Sequence, residues 1–282
     1  MHRALIAAST LLFVATSAEA HHARRARPAP AHAHAPAHAH ATRSFFLAGD
    51  PHVPLAVVRG ARIDDAPFSG RHCGARATWK TLGSRWTALD AWGQPMGVYT
   101  ATSKDDYDAT GCAELSFAPK LAGDLGHVFV WAGSAWRASA PAAWIAPMTK
   151  RASLAALARA AIPDASVTKS LVWPQCASLR ERARFFRVPG RGDWAIATSN
   201  TGWLVARDDA RGWTIRSHDR VAPTSYSAEC FRPVAIFDMN GDGVPEIVLR
   251  ASGGDGWNDV VLALGRDDRW RVVAASPGGS TA

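Results

Sequence analysis

The sequence predicts an all-β fold: duplicated antiparallel β units, propeller-like with about four blade-like sheets, and one short linking helix. Three observations carry this expectation. Between residues 45 and 275, short apolar or alternating runs recur between clusters of Gly, Pro, Asp and Asn, the mark of antiparallel strands joined by turns. The second half of that stretch can be laid over the first. Each half then divides into two segments of the length of a propeller blade.

The strands of the first unit are LAVV (55–58), GVYTAT (97–102), AELSFA (113–118) and HVFVWA (127–132). Those of the second are WAIATS (194–199), WLVA (203–206), VAIF (234–237), EIVL (246–249), DVVLAL (259–264) and WRVVAA (270–275). The helical pattern is KRASLAALARAAIP (150–163), stopped by Pro163, and ASLRERARF (177–185) reads as a second short helix.

The duplication is visible position by position. DYDATGCAELSF (106–117) lies on DMNGDGVPEIVL (238–249), and the register runs without a gap to HVFVWAG (127–133) on DVVLALG (259–265). A slip of two residues then sets Trp136-Arg137 on Trp270-Arg271. Phe45-Phe46 and residues 55–58 lie on Phe185-Phe186 and residues 195–198, and Trp86-Thr87 lies on Trp213-Thr214. The units are 45–148 and 176–275, with a helical linker over 149–175 and a C-terminus over 276–282 that is expected to be disordered. A finer resemblance, 203–217 to 260–275, gives four blade-sized pieces, which close into a small propeller or form two sandwiches. The tryptophans that follow the Arg-Asp-Asp turns are expected to pack.

Before this body come two segments that do not belong to the fold. Residues 1–20 have Arg3, an apolar run from Ala4 to Ala15 and the small-residue end Ala18-Glu19-Ala20, the pattern of a secretory signal peptide cleaved after Ala20. Residues 21–44 are almost wholly Ala, Pro, His and Arg, too poor in large apolar groups to offset the entropy of ordering. This tail holds six of the eleven histidines. His32, His34, His38 and His40 offer weak Cu, Ni or Zn ligation, because neutral imidazole is a borderline ligand. No later run approaches the roughly 18 apolar residues of a membrane span. Arginine dominates over lysine and alanine abounds, a bias of GC-rich bacterial coding, so the expected location is secreted or periplasmic. The formal charge is +8. Arg3 and Glu19 cancel in the leader and the tail holds Arg24, Arg25, Arg27 and Arg43, so half of that charge lies outside the body. Nucleic-acid binding loses its main support.

Cys73, Cys112, Cys176 and Cys230 are an even number in an exported chain, which reads as two disulfides. Three connectivities are open, and the pairing local in sequence joins Cys73 to Cys112 and Cys176 to Cys230. Each bond would stabilise by about 4 kcal/mol.

One chemical site is specified. FDMNGDGVPEIVL places Asp238, Asn240, Asp242 and Glu246 at positions 1, 3, 5 and 9 of a loop, with Gly243 at the sharp turn and the Val244 carbonyl at position 7. Hard oxygens at alternate positions around one centre suit Ca²⁺. Position 12 is Leu249 where a helical EF-hand requires Glu, and both flanks are strands. The loop resembles the calcium-binding repeats of FG-GAP and VCBS type, found in integrin-α-like propellers and exported bacterial proteins. The resemblance spans about 20 residues and implies a β-propeller with Ca²⁺ on Asp238, Asn240, Asp242, Val244 and Glu246. It departs from the family at Glu246, where Asp is more usual. The equivalent loop keeps Asp106, Asp108 and Glu114 but has Thr110 at position 5, so any second site is weaker.

No G-x-S-x-G, H-E-x-x-H, phosphate loop or C-x-x-C occurs, and no catalytic residue is assigned. His52, His72, His127 and His218 are scattered. Of the acid pairs, Asp64-Asp65, Asp208-Asp209 and Asp267-Asp268, the last two read as solvated hairpin tips. The expected function is a calcium-stabilised, non-enzymatic module that binds a protein or glycan. The alternatives are a hydrolase with carboxylates in a cleft between blades, or metal handling by the histidine tail.

Overall fold

The computed structural model describes residues 44–48, 53–65, 82–107, 112–118, 128–132, 145–163, 183–220, 230–253, 256–276 and 279–280. They are mostly β, in open antiparallel sheets, with one helix. The strands are β1 (Ser44–Ala48), β2 (Val53–Arg59), β3 (Arg62–Asp65), β4 (Arg85–Leu89), β5 (Pro95–Tyr107), β6 (Cys112–Ala118) and β7 (Val128–Ala132). Helix α1 (Met148–Ala161) follows. Then come β8 (Arg184–Val188), β9 (Gly192–Thr198), β10 (Gly202–Asp209), β11 (Gly212–Arg220), β12 (Cys230–Phe237), β13 (Glu246–Gly253), β14 (Gly256–Leu264), β15 (Trp270–Ala275) and β16 (Gly279–Ser280).

The expected strands of both units are present. The alignment that sets Phe45 on Phe185 also sets β1 on β8 residue for residue, Ser44 on Arg184 and Ala48 on Val188. Pairing differs between the halves. In the later half β8 to β11 form a four-stranded sheet in sequence order, and β12 to β15 form another, with β16 added beside β14. In the earlier half all seven strands make one sheet, ordered β3-β2-β1-β7-β4-β5-β6, because β7 inserts between β1 and β4.

Helix α1 starts two residues before the expected Lys150 and ends at Ala161, ahead of Pro163, which has no N–H to continue it. The short helix expected over 177–185 is corrected at its end. Arg184 and Phe185 open strand β8, paired with Ile196 and Ala195, because Phe186 and Val188 alternate into a buried cluster. Cys73 and Cys176 lie outside the described residues, and so do both disulfide pairings.

The layers follow from which faces are apolar. Leu154 and Ala158 of α1, with Ile162 just after it, cover the outer face of the β8–β11 sheet at Ala195, Ala197, Leu204 and Ala206. The small alanines let the helix lie close. The inner face of that sheet, with Phe186, Trp194, Ile196 and Val205, meets Ile247, Leu249, Leu262 and Trp270 of the β12–β15 sheet. The other face of the β12–β15 sheet, with Phe237, Val248, Val261 and Ala274, packs on Phe46, Leu55, Ala56, Val58 and Leu89 of the seven-stranded sheet. Trp270 stands edge-on to Trp194 and Phe186, with centroids 5.8 Å away in each case, and Trp213 packs on Phe185. These tryptophans are packing residues, as their positions after the turns suggested.

The contact between the halves is tight at the β4–β5 turn. Ala91 accepts from the Ile236 N–H at 2.8 Å, and a Cβ on Gly93, at φ +74, would lie 2.4 Å from the Phe237 Cβ. Gly60, at φ +59 in the β2–β3 turn, faces open space. Gly93→Ala should therefore cost about 2–4 kcal/mol in urea unfolding, from overpacking added to the left-handed backbone, and Gly60→Ala about 1 kcal/mol from the backbone alone. Equal losses would remove the close approach as the cause.

Candidate functional site

Strand β12 is an edge of its sheet, where Pro233 costs no ladder hydrogen bond. It delivers Phe237 opposite Glu246 of β13, and the residues between them form the loop whose spacing predicts a cation site. Asp238 begins it as an acceptor hub: its Oδ1 takes the N–H groups of Gly241 (2.6 Å) and Asp242 (3.1 Å), and its Oδ2 that of Gly243 (2.9 Å). Asn240 Oδ1 accepts from the Asp242 N–H at 3.0 Å, and Asp242 Oδ1 from the Val244 N–H at 2.7 Å. Glu246 Oε2 reaches back to the Met239 N–H at 2.7 Å. Gly241 and Gly243 both have positive φ, which the loop needs to turn its N–H groups inward.

The loop is wedged between layers. Asp238, Asn240 and Glu246 are buried and Asp242 is exposed. Asn240 Nδ2 donates to Asp242 Oδ2 at 3.3 Å and to the Ala61 carbonyl of the β2–β3 turn at 3.1 Å. The same amide therefore ties the loop to the earlier half of the chain.

The loop carries three carboxyls, and among the described residues none of them makes an ion pair with Lys, Arg or His. Burial pushes the Glu246 carboxyl well above its ordinary range; the Met239 N–H opposes this, and the charges of Asp238 and Asp242 add to it. Burial also raises Asp238, against the N–H groups of Gly243 and Gly241, with the Asp242 charge raising it further. Such a loop is short of positive charge. A hard cation would supply it, and each carboxylate oxygen that accepts one N–H keeps a second lone pair for a ligand. Among the described residues no three His, Cys, Asp or Glu side chains are grouped so as to hold a metal by themselves. Any cation here therefore also draws on neutral oxygens, the Asn240 amide and a backbone carbonyl such as that of Val244.

The equivalent hairpin is built differently. Asp106 pairs with Ala113 and Asp105 with Glu114, and the ladder closes at Tyr107 and Cys112. Asp108 and Thr110 lie outside the described residues.

Of the acid pairs, Asp208 and Asp268 are corrected from solvated tips to clamps. Asp208 pairs with Lys150 of α1, and Asp268 receives Arg191 at 3.1 Å and Arg207 at 2.9 Å. Asp267 pairs with Arg271, and Asp64 with Arg62 and Arg59. His218 is exposed on β11, whereas His52, His72 and His127 lie outside the described residues. Sequence reasoning missed the buried pair of Arg250 and Asp259, bidentate at 2.8 and 2.9 Å. Its one signal is a pair of opposite charges within strand-forming runs.

The raised Glu246 carboxyl makes a signed prediction in chelator. Its folded state holds the proton more tightly than the unfolded state, whose value is near 4.5. The penalty of the charged form is full above the folded value and fades as pH falls toward 4.5. Glu246→Gln removes the charge and keeps an acceptor for the Met239 N–H. The variant should be more stable than the wild type at neutral pH in chelator, with a difference that shrinks as pH falls. Urea midpoints at pH 7.5 and pH 5 measure this, and a variant less stable at pH 7.5 would contradict it.

Comparison of the chain with protein-family models, curated proteins and solved structures finds no match.

Proposed function

We propose that the chain is an exported, calcium-stabilised, non-enzymatic binding or scaffold module for a protein or glycan, built from a duplicated β unit with blade-like sheets of FG-GAP/VCBS type. The observation that carries this reading is the loop from Asp238 to Glu246. It carries the buried carboxyls of Asp238 and Glu246 and the exposed one of Asp242 at a strand-to-strand turn, with no basic partner among the described residues, and its Asn240 holds the neighbouring layer. Calcium supplies the missing positive charge. The chain's own residues orient the loop: Asp238 gathers its N–H groups, Glu246 fixes its far end, and Asn240 links it to Ala61. In the later half, β8–β11 and β12–β15 each pair in sequence order, with β16 added to the second beside β14, and four strands in sequence order are the blade pattern that supports the propeller-like reading. Against the hydrolase alternative, Asp64, Asp208, Asp267 and Asp268, four of the six acids in the Asp-Asp pairs, are held in ion pairs.

At free calcium about 100 times the dissociation constant, linkage adds about 2.7 kcal/mol. For a body of this size that is about 5–10 °C in melting temperature. Chelation should lower the melting temperature by that amount. Asp242→Ala, at an exposed position, should fold and lose the response. Identical melting with and without chelator in the wild type would remove calcium from the proposal.

A further inference from the structure

The β8–β9 turn, the end of strand β10 and the β14–β15 turn are hydrogen-bonded into one surface. Arg191 of the first donates to the Gly265 carbonyl (3.3 Å) and to Asp268 Oδ1 (3.1 Å) of the third, and Arg207, near the end of β10, takes Asp268 Oδ2 at 2.9 Å. Asp268 is held there at φ +58, a conformation that Asp tolerates better than most residues. The acids of this end are consumed internally. Asp193 pairs with Arg187, Asp208 with Lys150 and Asp267 with Arg271. Asp209 accepts from the Thr214 hydroxyl and the Arg211 N–H.

Cations are left over. Arg211, Arg266 and Arg269 are exposed and make no ion pair among the described residues. Arg216 Nε of β11 and Trp270 Nε1 at the start of β15 are also buried with no acceptor among the described residues. An end with its carboxylates spent and its guanidiniums open is matched by a ligand that brings acceptors in excess.

We propose that this end docks an acidic glycan, whose carboxylate or sulfate groups are received by Arg211, Arg266 and Arg269. The planar guanidinium fork suits such groups. Exposed ion pairs are individually weak, so a polymer that engages several arginines together is held where a single small anion is not. Single-stranded nucleic acid is recognised by stacking of bases on exposed aromatic rings. Here Trp194 and Trp270 are buried, and none of the large apolar side chains exposed among the described residues is aromatic. The choice of a glycan rests on the reading of the chain as an exported binding module.

The test uses the mature full chain with hyaluronate, neutral dextran and duplex DNA as probes. The wild type should bind hyaluronate at about 50 mM salt and lose at least about tenfold in affinity at about 300 mM, with no binding to dextran. The variant R211A/R266A/R269A should bind at least about tenfold more weakly, with an unchanged melting temperature and an unchanged calcium response. No binding of hyaluronate, equal binding by the variant, or tighter binding of DNA would each overturn the inference. A wild type that responds to calcium but ignores hyaluronate sinks this inference and leaves the calcium-stabilised module standing. Arginine-dependent hyaluronate binding without a calcium response does the reverse.

Discussion

The β12–β15 sheet is buried on both faces, and the rest of the molecule is arranged around that constraint. Ile247 and Leu249 of β13 face the β8–β11 sheet, and Val248 faces the seven-stranded sheet. With both faces apolar, hydrophobicity alone does not choose the register, since a slip by one residue exchanges one apolar face for the other. The polar groups choose it. Arg250 stands opposite Asp259 across β13 and β14, nearly dry, and a slip would separate them and bury two unpaired charges at a cost of several kcal/mol. The Asp259 N–H and carbonyl are taken by the Ser276 hydroxyl and N–H, which fixes the strand end as well.

The layers to either side are fitted by size. Alanines on the outer face of the β8–β11 sheet admit α1, which is clamped by Lys150 to Asp208, by the Trp213 indole to the Lys150 carbonyl and by the Thr201 hydroxyl to the Pro163 carbonyl. On the other side Gly93 admits Phe237, whose ring lies 6.1 Å from that of Phe46. The loop from Asp238 to Glu246 sits at this second boundary. Its charge problem and its position are linked: the burial that raises Asp238 and Glu246 also brings Asn240 to the Ala61 carbonyl.

Much of the fold could be read in the chain. Alternating runs gave strands in the right places, and Pro163 stopped α1 near its end. The run from Asp238 to Glu246 could be read as a turn between two strands, and there Asp238, Asn240, Asp242 and Glu246 each take loop N–H groups. The insertion of β7 between β1 and β4 could not be read, because a period of two assigns side chains to faces and is silent on which strand lies beside which. The same limit hid the partners of Asp208 and Asp268, which come from residues 58 to 77 positions away. Residues 184 and 185 carried helical propensity within an Arg-rich run, but pairing with β9 and the burial of Phe186 prevailed.

The sequence by itself determined the strand-forming segments, the stopping point of the helix and the order of oxygen-bearing side chains around the turn at Gly243. These depend on local chemistry, namely side-chain period, missing N–H groups and left-handed glycines. Tertiary structure alone decided that the two halves pair their strands differently, that Asp268 joins its turn to Arg191 of the β8–β9 turn and Arg207 of β10, and that Asn240 fastens the acidic loop to Ala61. Each of those depends on which surfaces meet, and a surface acquires its partner only when distant segments are buried against one another.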